Sequence, residues 1–334
     1  MTGIDSIPPF RILQLILAGF SLFLLVFLLM LVALPQYFYS VPSVTVDNSS
    51  AGEPPIVVTR SFPFGNESET ITIAVNASVY AASKKTFRNT LLFGDPQAAA
   101  PRYYGAMIND PSQDRIYREL LDQFHTIRSA RNLSDDEYLE LIATAIQSIP
   151  YKDGGDLPPK YPAELLADNA GDCDDKSILI AGLLAREGYT VVLFRFGPEH
   201  HMTVGIGSDA NLFRLTGYTY LEGMTPAYVG SPTAHLNIPL TSDPLVIPVS
   251  RGPKIYHSGN ETRYISAMLD LAKEREAALT DQLLDVPDAS RVGNARYSAL
   301  GAERERYGMI ERYILSHPYD RPGTYTYVVR EMGG

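Results

Sequence analysis

The chain has 334 residues, a formal net charge of −10, one cysteine and no tryptophan. This composition is typical of a folded protein and argues against a disordered or collagen-like chain. A single cysteine excludes an internal disulfide and a CxxC metal site. Because phosphates are neutralised by a basic surface, the acidic balance disfavours nucleic acid as a partner.

The first feature along the chain is a run without Asp, Glu, Lys or Arg, over residues 12–46. Its first part, 12–34, is apolar apart from Gln14, Gly19 and Ser21. As a helix it would reach about 34 Å, more than the about 30 Å of a hydrocarbon core. A cleaved signal peptide is the alternative, but the run is long for one and no Ala-x-Ala site follows. The run therefore predicts one transmembrane helix and contact with membrane lipid.

Two clues bear on the orientation of this helix. Arg11 is the only basic residue close to it, so the positive-inside rule places residues 1–11 in the cytoplasm. Five asparagines lie in N-x-S/T sequons, all after the apolar segment, which favours export and glycosylation over a chance excess. The glycosylation candidates are Asn48, Asn66, Asn76, Asn132 and Asn260. We expect a single-pass cell-membrane protein with its C-terminal domain outside the cell.

The segment after the apolar run divides into a linker and a strand region. Residues 35–56 are rich in Ser, Pro and small residues, which is typical of a juxtamembrane linker. β-Branched residues then alternate in part over 57–64 and 70–80, on either side of a Gly-Asn pair. This pattern predicts a β-hairpin, and we assign 57–110 to the hairpin and its connection to the next unit.

Helical patterns begin after about residue 100 and are followed by strands. Ser134 and Glu137 form a capping-box sequence, and a strongly apolar helix is predicted from Cys173 to Arg186. Other predicted elements are helices at 162–167, 262–285 and 299–316 and strands at 190–196, 201–207, 212–216 and 218–222. Because strands follow helices instead of alternating with them, the fold class is α+β. We assign 111–230 to the central domain and 231–334 to a C-terminal helical extension.

Cys173 lies between a Gly-Asp turn and the start of the apolar helix, in GDCDDKS (171–177). The macrodipole and the N–H groups at a helix N-terminus favour the thiolate, which is the reactive form. The flanking charges, three Asp and one Lys, oppose it, so activation would need a histidine partner. A lone cysteine is more often a small buried apolar side chain. An exported protein that keeps one unpaired thiol nevertheless favours a functional role.

A histidine pair and a carboxylate follow the cysteine at spacings that suit catalysis. His200 and His201, 27 and 28 residues after Cys173, open the strand that returns toward the helix. Glu222 ends the strand region that follows, where a carboxylate could hold the imidazole tautomer and stabilise imidazolium. A solvated strand end is the alternative for this glutamate. The spacing predicts a Cys–His–acid site.

The stretch from Gln147 to Thr225 resembles the transglutaminase-like superfamily, in its membrane-anchored bacterial and archaeal branch. The matching pieces are QSIPY (147–151), YPAELL (161–166), GDCDDKSILIAGLLAREGY (171–189), HMTVGI (201–206) and YTYLEGMT (218–225). The resemblance implies a papain-like α+β core, in which a helix that starts with the cysteine packs on an antiparallel sheet.

The resemblance also implies roles for individual residues. Cys173 would be the nucleophile, His201 the general base and acid, and Glu222 the orienting acid, with His200 as the alternative base. Many members carry Asp at the third position, and some place a Trp at the oxyanion site, which this chain lacks. The oxyanion would then rest on the Cys173 N–H and the Gln147 amide. The alternative for Gln147 is a helix cap.

These residues predict an acyl-transfer enzyme. The cysteine would attack a peptide or protein amide at the cell surface and form a thioester, which water or an amine then resolves. Hydrolysis and cross-linking share this first half-reaction, so the residues do not separate them. A non-catalytic envelope or binding module that retains the fold is the alternative function.

Four aspartates near the cysteine allow a third hypothesis, an acidic metal-binding surface protein. They are Asp168, Asp172, Asp174 and Asp175. An acidic helix N-terminus stabilised by the macrodipole explains them more simply. No EF-hand pattern is present, and we expect neither a metal nor a cofactor.

Overall fold

The computed structural model describes residues 9–37, 41–47, 52–88, 96–155, 157–232, 239–287, 291 and 294–333. Over these described residues the fold is α+β, with 53% helix and 17% strand in two small sheets. The helices are α1 (Pro9–Tyr37), α2 (Ala77–Lys85), α3 (Pro96–Ile108), α4 (Asp114–Arg131), α5 (Asp135–Gln147), α6 (Pro162–Asp168), α7 (Cys173–Arg186), α8 (Gly259–Leu284), α9 (Ala295–Ser316) and α10 (Arg321–Met332). The strands are β1 (Ile56–Phe64), β2 (Glu67–Val75), β3 (Thr190–Phe196), β4 (His201–Gly207), β5 (Tyr218–Leu221) and β6 (Leu245–Arg251).

The N-terminal helix does not support the membrane prediction. Within the described parts of the chain, no helix combines the length and the apolar content needed to cross a membrane. The large apolar side chains described in α1 over residues 16–30 are exposed and add nothing to the core. Three predictions are therefore wrong: a transmembrane helix at 12–34, a single-pass topology, and the placement of the two ends on opposite sides of a membrane.

The N-terminal hairpin forms as its alternating pattern predicts, but its second strand is shorter than expected. β1 and β2 pair antiparallel around Gly65 and Asn66, with Phe64 opposite Glu67. Residues 77–80 were assigned to the strand but belong to α2. The physical reason is Asn76, whose side chain accepts hydrogen bonds from the next backbone N–H groups and so starts a helix.

The central sheet has the order β5-β4-β3-β6, and its neighbouring strands are antiparallel. β6 was not predicted, because Pro248 removes a backbone donor and the partners of β6 on β3 lie fifty or more residues away. An edge strand tolerates a proline. The predicted strand at 212–216 is wrong, since Asn211 and Arg214 have positive φ and turn the chain there.

The central sheet separates two apolar clusters. One face packs on α7 and joins the main core, which also includes the hairpin, α4 and α5. The opposite face carries a smaller, largely aromatic cluster. Its buried members are Val192, Phe194, Phe196 and Tyr220. A third cluster joins α8, α9 and α10, and Arg321 ties these helices to the core by a 2.6 Å contact from Nε to Glu140 Oε1.

The described sequon asparagines lie at the ends of secondary-structure elements. Four are exposed, in the hairpin turn or at helix ends: Asn66, Asn76, Asn132 and Asn260. Asn48 lies outside the described residues. Asn132 ends α4 in the left-handed region at φ 53°, and Ser134 caps α5 two residues later. Because Asn and Ser both favour helix ends, capping accounts for part of the sequon excess.

Candidate active site

Cys173 is the first residue of α7, and the acids beside it build the helix start. Asp172 is the N-cap and accepts hydrogen bonds from the N–H groups of Asp174 and Asp175. The Asp175 carboxylate in turn accepts from the N–H of Asp172, at 3.2 Å. This reciprocal capping satisfies donors that no helical carbonyl can reach. The sequence therefore places the thiol at a well-defined helix N-terminus.

Gly171 is required by close packing in front of this helix start. A Cβ atom at this position would lie 2.5 Å from Leu165 Cδ1 and 2.6 Å from Asp175 Oδ2. Any side chain would therefore push α6 away or break the capping arrangement. Packing explains Gly171 and capping explains Asp172, independently of any catalytic role.

Strand register brings His201 and Glu222 to the same region. Val204 of β4 pairs with Leu221 of β5, so Glu222 follows the strand opposite Thr203. His201 and Glu222 are therefore diagonal neighbours across two adjacent strands, a spacing that long side chains can bridge. Both are buried, with exposed fractions of 5% and 0%.

The imidazole and the carboxylate are in contact. His201 Nε2 lies 3.5 Å from Glu222 Oε2 and 3.2 Å from the hydroxyl of Tyr220. Tyr220 donates a 2.6 Å hydrogen bond to Glu222 Oε2, and Met224 N–H donates to Oε1 at 2.7 Å. Burial would raise the pKa of Glu222, but the hydrogen bond and charge of His201, followed by the Tyr220 and Met224 donors, hold the pKa below its usual value. These contacts favour the carboxylate form of the buried glutamate.

Cys173 and both histidines line one cavity of about 320 Å³ at the end of the sheet. Its other lining residues are Tyr151, Asp153, Gly155, Leu157, Asp172, Asp174, Arg195, Phe196 and Gly197. His201 stacks on Phe196, with ring centroids 6.1 Å apart, while His200 is exposed in the turn before β4 at φ 49°. The structure pairs Glu222 with His201, and it leaves His200 as a residue of the cavity rim.

The thiol itself faces acceptors instead of the imidazole. Cys173 Sγ lies 3.5 Å from Asp174 Oδ1 and 3.9 Å from the backbone oxygen of His200. Among the described residues, no hydrogen bond joins Sγ to the ring of His201. Burial, followed by the charge of Asp174, raises the pKa of the Cys173 thiol. Burial and the charge of Asp172 raise the pKa of Asp174 to about 6. The macrodipole therefore does not by itself produce a thiolate here.

Gln147 is placed beside the acid and outside the cavity lining. Its Nε2 donates a 2.6 Å hydrogen bond to the backbone oxygen of Glu222. Buried Lys176, one turn after the cysteine, donates to the backbone oxygens of Gln147, Ile149 and Met224. The two side chains tie α5, α7 and the end of β5 together. The oxyanion role of Gln147 stays a prediction. In the structure, its side chain helps to position the backbone of Glu222.

The four aspartates near the cysteine contact different partners. Asp168 contacts Lys84 and Lys160 at 3.1 and 3.0 Å, and the hydroxyl of Tyr80 at 2.7 Å. In the part of the chain that the structure covers, no group of three or more His, Cys, Asp or Glu side chains is arranged to hold a metal ion. Asp172 and Asp175 cap the helix, Asp168 forms ion pairs, and Asp174 contacts the thiol.

Three contributors to the site were not assigned from the sequence. Tyr220 precedes Glu222 by two residues, and the period-2 rule for strands already places both on one face. From the sequence, Asp174 was interpreted as a flanking charge and as a member of the candidate metal cluster, and Lys176 as a flanking charge within the motif. Their contacts depend on how α7 sits against the sheet, which no local pattern encodes.

No protein-family model, no curated protein and no solved structure matches this chain significantly.

Proposed function

We propose that this chain is a cysteine enzyme of the acyl-transfer type, related in its chemistry to transglutaminase-like and papain-like enzymes. It acts on peptide or protein amides through a thioester. One observation carries the proposal: a helix-initial cysteine lines the same cavity as His201, whose imidazole contacts the buried Glu222 carboxylate.

The chemistry follows from the position of each group. The Cys173 sulfur attacks the amide carbonyl carbon while its proton passes to His201. His201 then gives the proton to the leaving amine as the C–N bond breaks, and a thioester remains. The Cys173 backbone N–H, at the first position of the helix, is a donor suited to the oxyanion. Water releases an acid from the thioester, whereas an amine releases a new amide.

Glu222 supports this cycle because its charge lies beside the ring of His201. A buried carboxylate stabilises the imidazolium that forms when the thiol loses its proton. Catalytic hydrogen bonds are often long in an enzyme without substrate and shorten when substrate binds. The absence of a hydrogen bond between Sγ and imidazole among the described residues is compatible with that behaviour.

One observation favours the second candidate function, a non-catalytic binding module. Cys173 is only 8% exposed, and its pKa is raised by burial and by Asp174. A thiol in this state is a poor nucleophile without help from a histidine. The two functions differ in whether His201 governs the chemistry of Cys173.

The test is acylation of Cys173 in the full chain. A library of glutamine-containing peptides is incubated with the protein; the thioester is detected by intact mass and its sensitivity to hydroxylamine. Amine or ammonia release is measured in parallel. We expect an adduct and product with the wild type, neither with Cys173→Ala, and a loss of about a hundredfold or more in rate with His201→Gln. His257→Gln, which changes an exposed histidine, is the matched control.

Two results would overturn the proposal. One is product formation by Cys173→Ala at the wild-type rate. The other is the absence of any adduct, together with iodoacetamide labelling of Cys173 that is no faster than a peptide thiol and unchanged by His201→Gln. The second result would favour the binding module.

A further inference from the structure

We propose that Tyr220 is a positioning residue that links His201 to Glu222 through its hydroxyl group and so sets the imidazole tautomer. This inference rests on the proposed function, because it concerns the same site. It adds a fourth side chain to the Cys–His–acid set.

The distances show that the hydroxyl makes the stronger connection. Direct approach of His201 Nε2 to Glu222 Oε2 is 3.5 Å, which is longer than an ordinary N–H···O hydrogen bond. The Tyr220 oxygen lies 3.2 Å from Nε2 and 2.6 Å from Oε2. The hydroxyl therefore bridges a gap that the acid alone spans poorly.

The positions of the protons follow from this bridge. The Tyr220 O–H donates to the carboxylate of Glu222, since an ionised carboxylate can only accept. The lone pairs of the phenol oxygen are then left to accept from His201, so Nε2 carries the hydrogen. Neutral imidazole has one N–H, and Nδ1 therefore keeps a lone pair. Nδ1 is therefore the ring atom that accepts the thiol proton.

The location of the hydroxyl is set by rigid elements. Tyr220 is fully buried on β5 and pairs with Gly205, which has no side chain. Its ring packs against Phe213, with centroids 5.3 Å apart. Burial and the nearby Glu222 charge raise the pKa of Tyr220, so the hydroxyl keeps its proton. A phenol held in this way can act as a fixed relay between strand β4 and the end of β5.

The primary experiment is ¹⁵N NMR of the full chain with labelled histidine, for the wild type and for Tyr220→Phe. We expect the Nε2–H tautomer for His201 in the wild type and a mixture of tautomers in the variant. We also expect the rate of Cys173 acylation to fall about tenfold to a hundredfold, the effect of losing a hydrogen bond to a charged group. The pH profile of acylation should shift with it, which a purely structural defect would not produce.

Tyr256→Phe is the matched control. Tyr256 is also fully buried and also donates a 2.6 Å hydrogen bond to a glutamate, but that glutamate is Glu140 and not the partner of His201. We expect this variant to keep the wild-type tautomer of His201 and the wild-type pH profile.

Glu222→Gln gives a second test if Tyr220→Phe does not fold. With the relay in place, the amide oxygen that this substitution introduces still accepts from the Tyr220 hydroxyl, and His201 retains its Nε2–H tautomer. A tautomer that changes in Glu222→Gln would therefore contradict the relay.

The outcomes separate this inference from the proposed function. An Nδ1–H tautomer in the wild type, or a tautomer and pH profile unchanged in Tyr220→Phe, overturns the role of Tyr220 even if acylation occurs. An Nε2–H tautomer that is lost in Tyr220→Phe supports that role even if Cys173 forms no adduct, and the enzyme proposal then fails alone.

Discussion

Asp174 controls the ionisation of the candidate nucleophile, and Asp174→Asn tests this directly. The carboxylate oxygen lies 3.5 Å from Cys173 Sγ. When both groups are ionised, their repulsion is about 1 kcal/mol at a dielectric constant near 80 and about 5 kcal/mol near 20. Asparagine keeps the shape and an acceptor oxygen but removes the charge. We therefore expect the pKa of the thiol to fall by about one to three units.

The assay is the rate of iodoacetamide alkylation of Cys173, followed by intact mass from pH 5 to pH 8. A lower pKa increases the thiolate fraction, but a less basic thiolate is also less nucleophilic, and this cancels about half of the gain. The expected increase at pH 7 is therefore about threefold to tenfold, and its upper end is set by the roughly one tenth of Asp174 that is still neutral at that pH. Asp209→Asn, which removes the same charge at an exposed position, serves as the control.

The pH dependence provides the sharper criterion. The pKa of Asp174 is raised to about 6, so its carboxyl group is largely neutral at pH 5 and charged at pH 7. The variant and the wild type should react at similar rates at pH 5 and diverge as the pH rises through 6. A rate at pH 7 within twofold of the wild type, or a ratio that does not change with pH, would refute the electrostatic reasoning.

Three further substitutions test the packing around the site and the attachment of the C-terminal helices, each by urea denaturation. Lys176→Met removes the donor to three buried backbone oxygens and should lower the free energy of unfolding by about 2 to 4 kcal/mol; an unchanged value would show that water replaces the ammonium. Gly205→Ala would place a Cβ 2.6 Å from atoms of both Val192 and Phe194, with an expected loss of about 1 to 3 kcal/mol. Arg321→Met leaves Glu140 buried without this partner, which should cost about 3 kcal/mol. Adding Glu140→Gln should recover part of that loss, and a strictly additive double variant would contradict the pairing.

Local sequence signals predicted the element that carries the nucleophile almost completely. The predicted helix from Cys173 to Arg186 has the same bounds in the structure, because Asp172 caps its start and its apolar residues recur at helical spacing. The Ser134–Glu137 capping box is also confirmed. Such signals act over three or four residues, so the amino-acid order alone contains them.

Long-range pairing accounts for most of what the sequence did not predict. β6 joins the sheet by pairing with β3 residues that lie fifty or more positions earlier in the chain. The sequence also did not predict α10 as a separate helix. The transmembrane prediction was wrong for another reason. It applied a length criterion to all of 12–34, whereas the described residues contain no helix that meets the requirement.

The sequence by itself determined which chemical groups are available: one thiol at a helix start, a histidine pair opening a strand, and a glutamate ending the next. Only the tertiary structure decided the pKa values and tautomers of those groups. It placed Asp174 against the thiol and the hydroxyl of Tyr220 between His201 and Glu222. The physical reason is that pKa values and tautomers depend on burial and on neighbours contributed by separate elements. A linear pattern specifies the elements, and their packing specifies those neighbours.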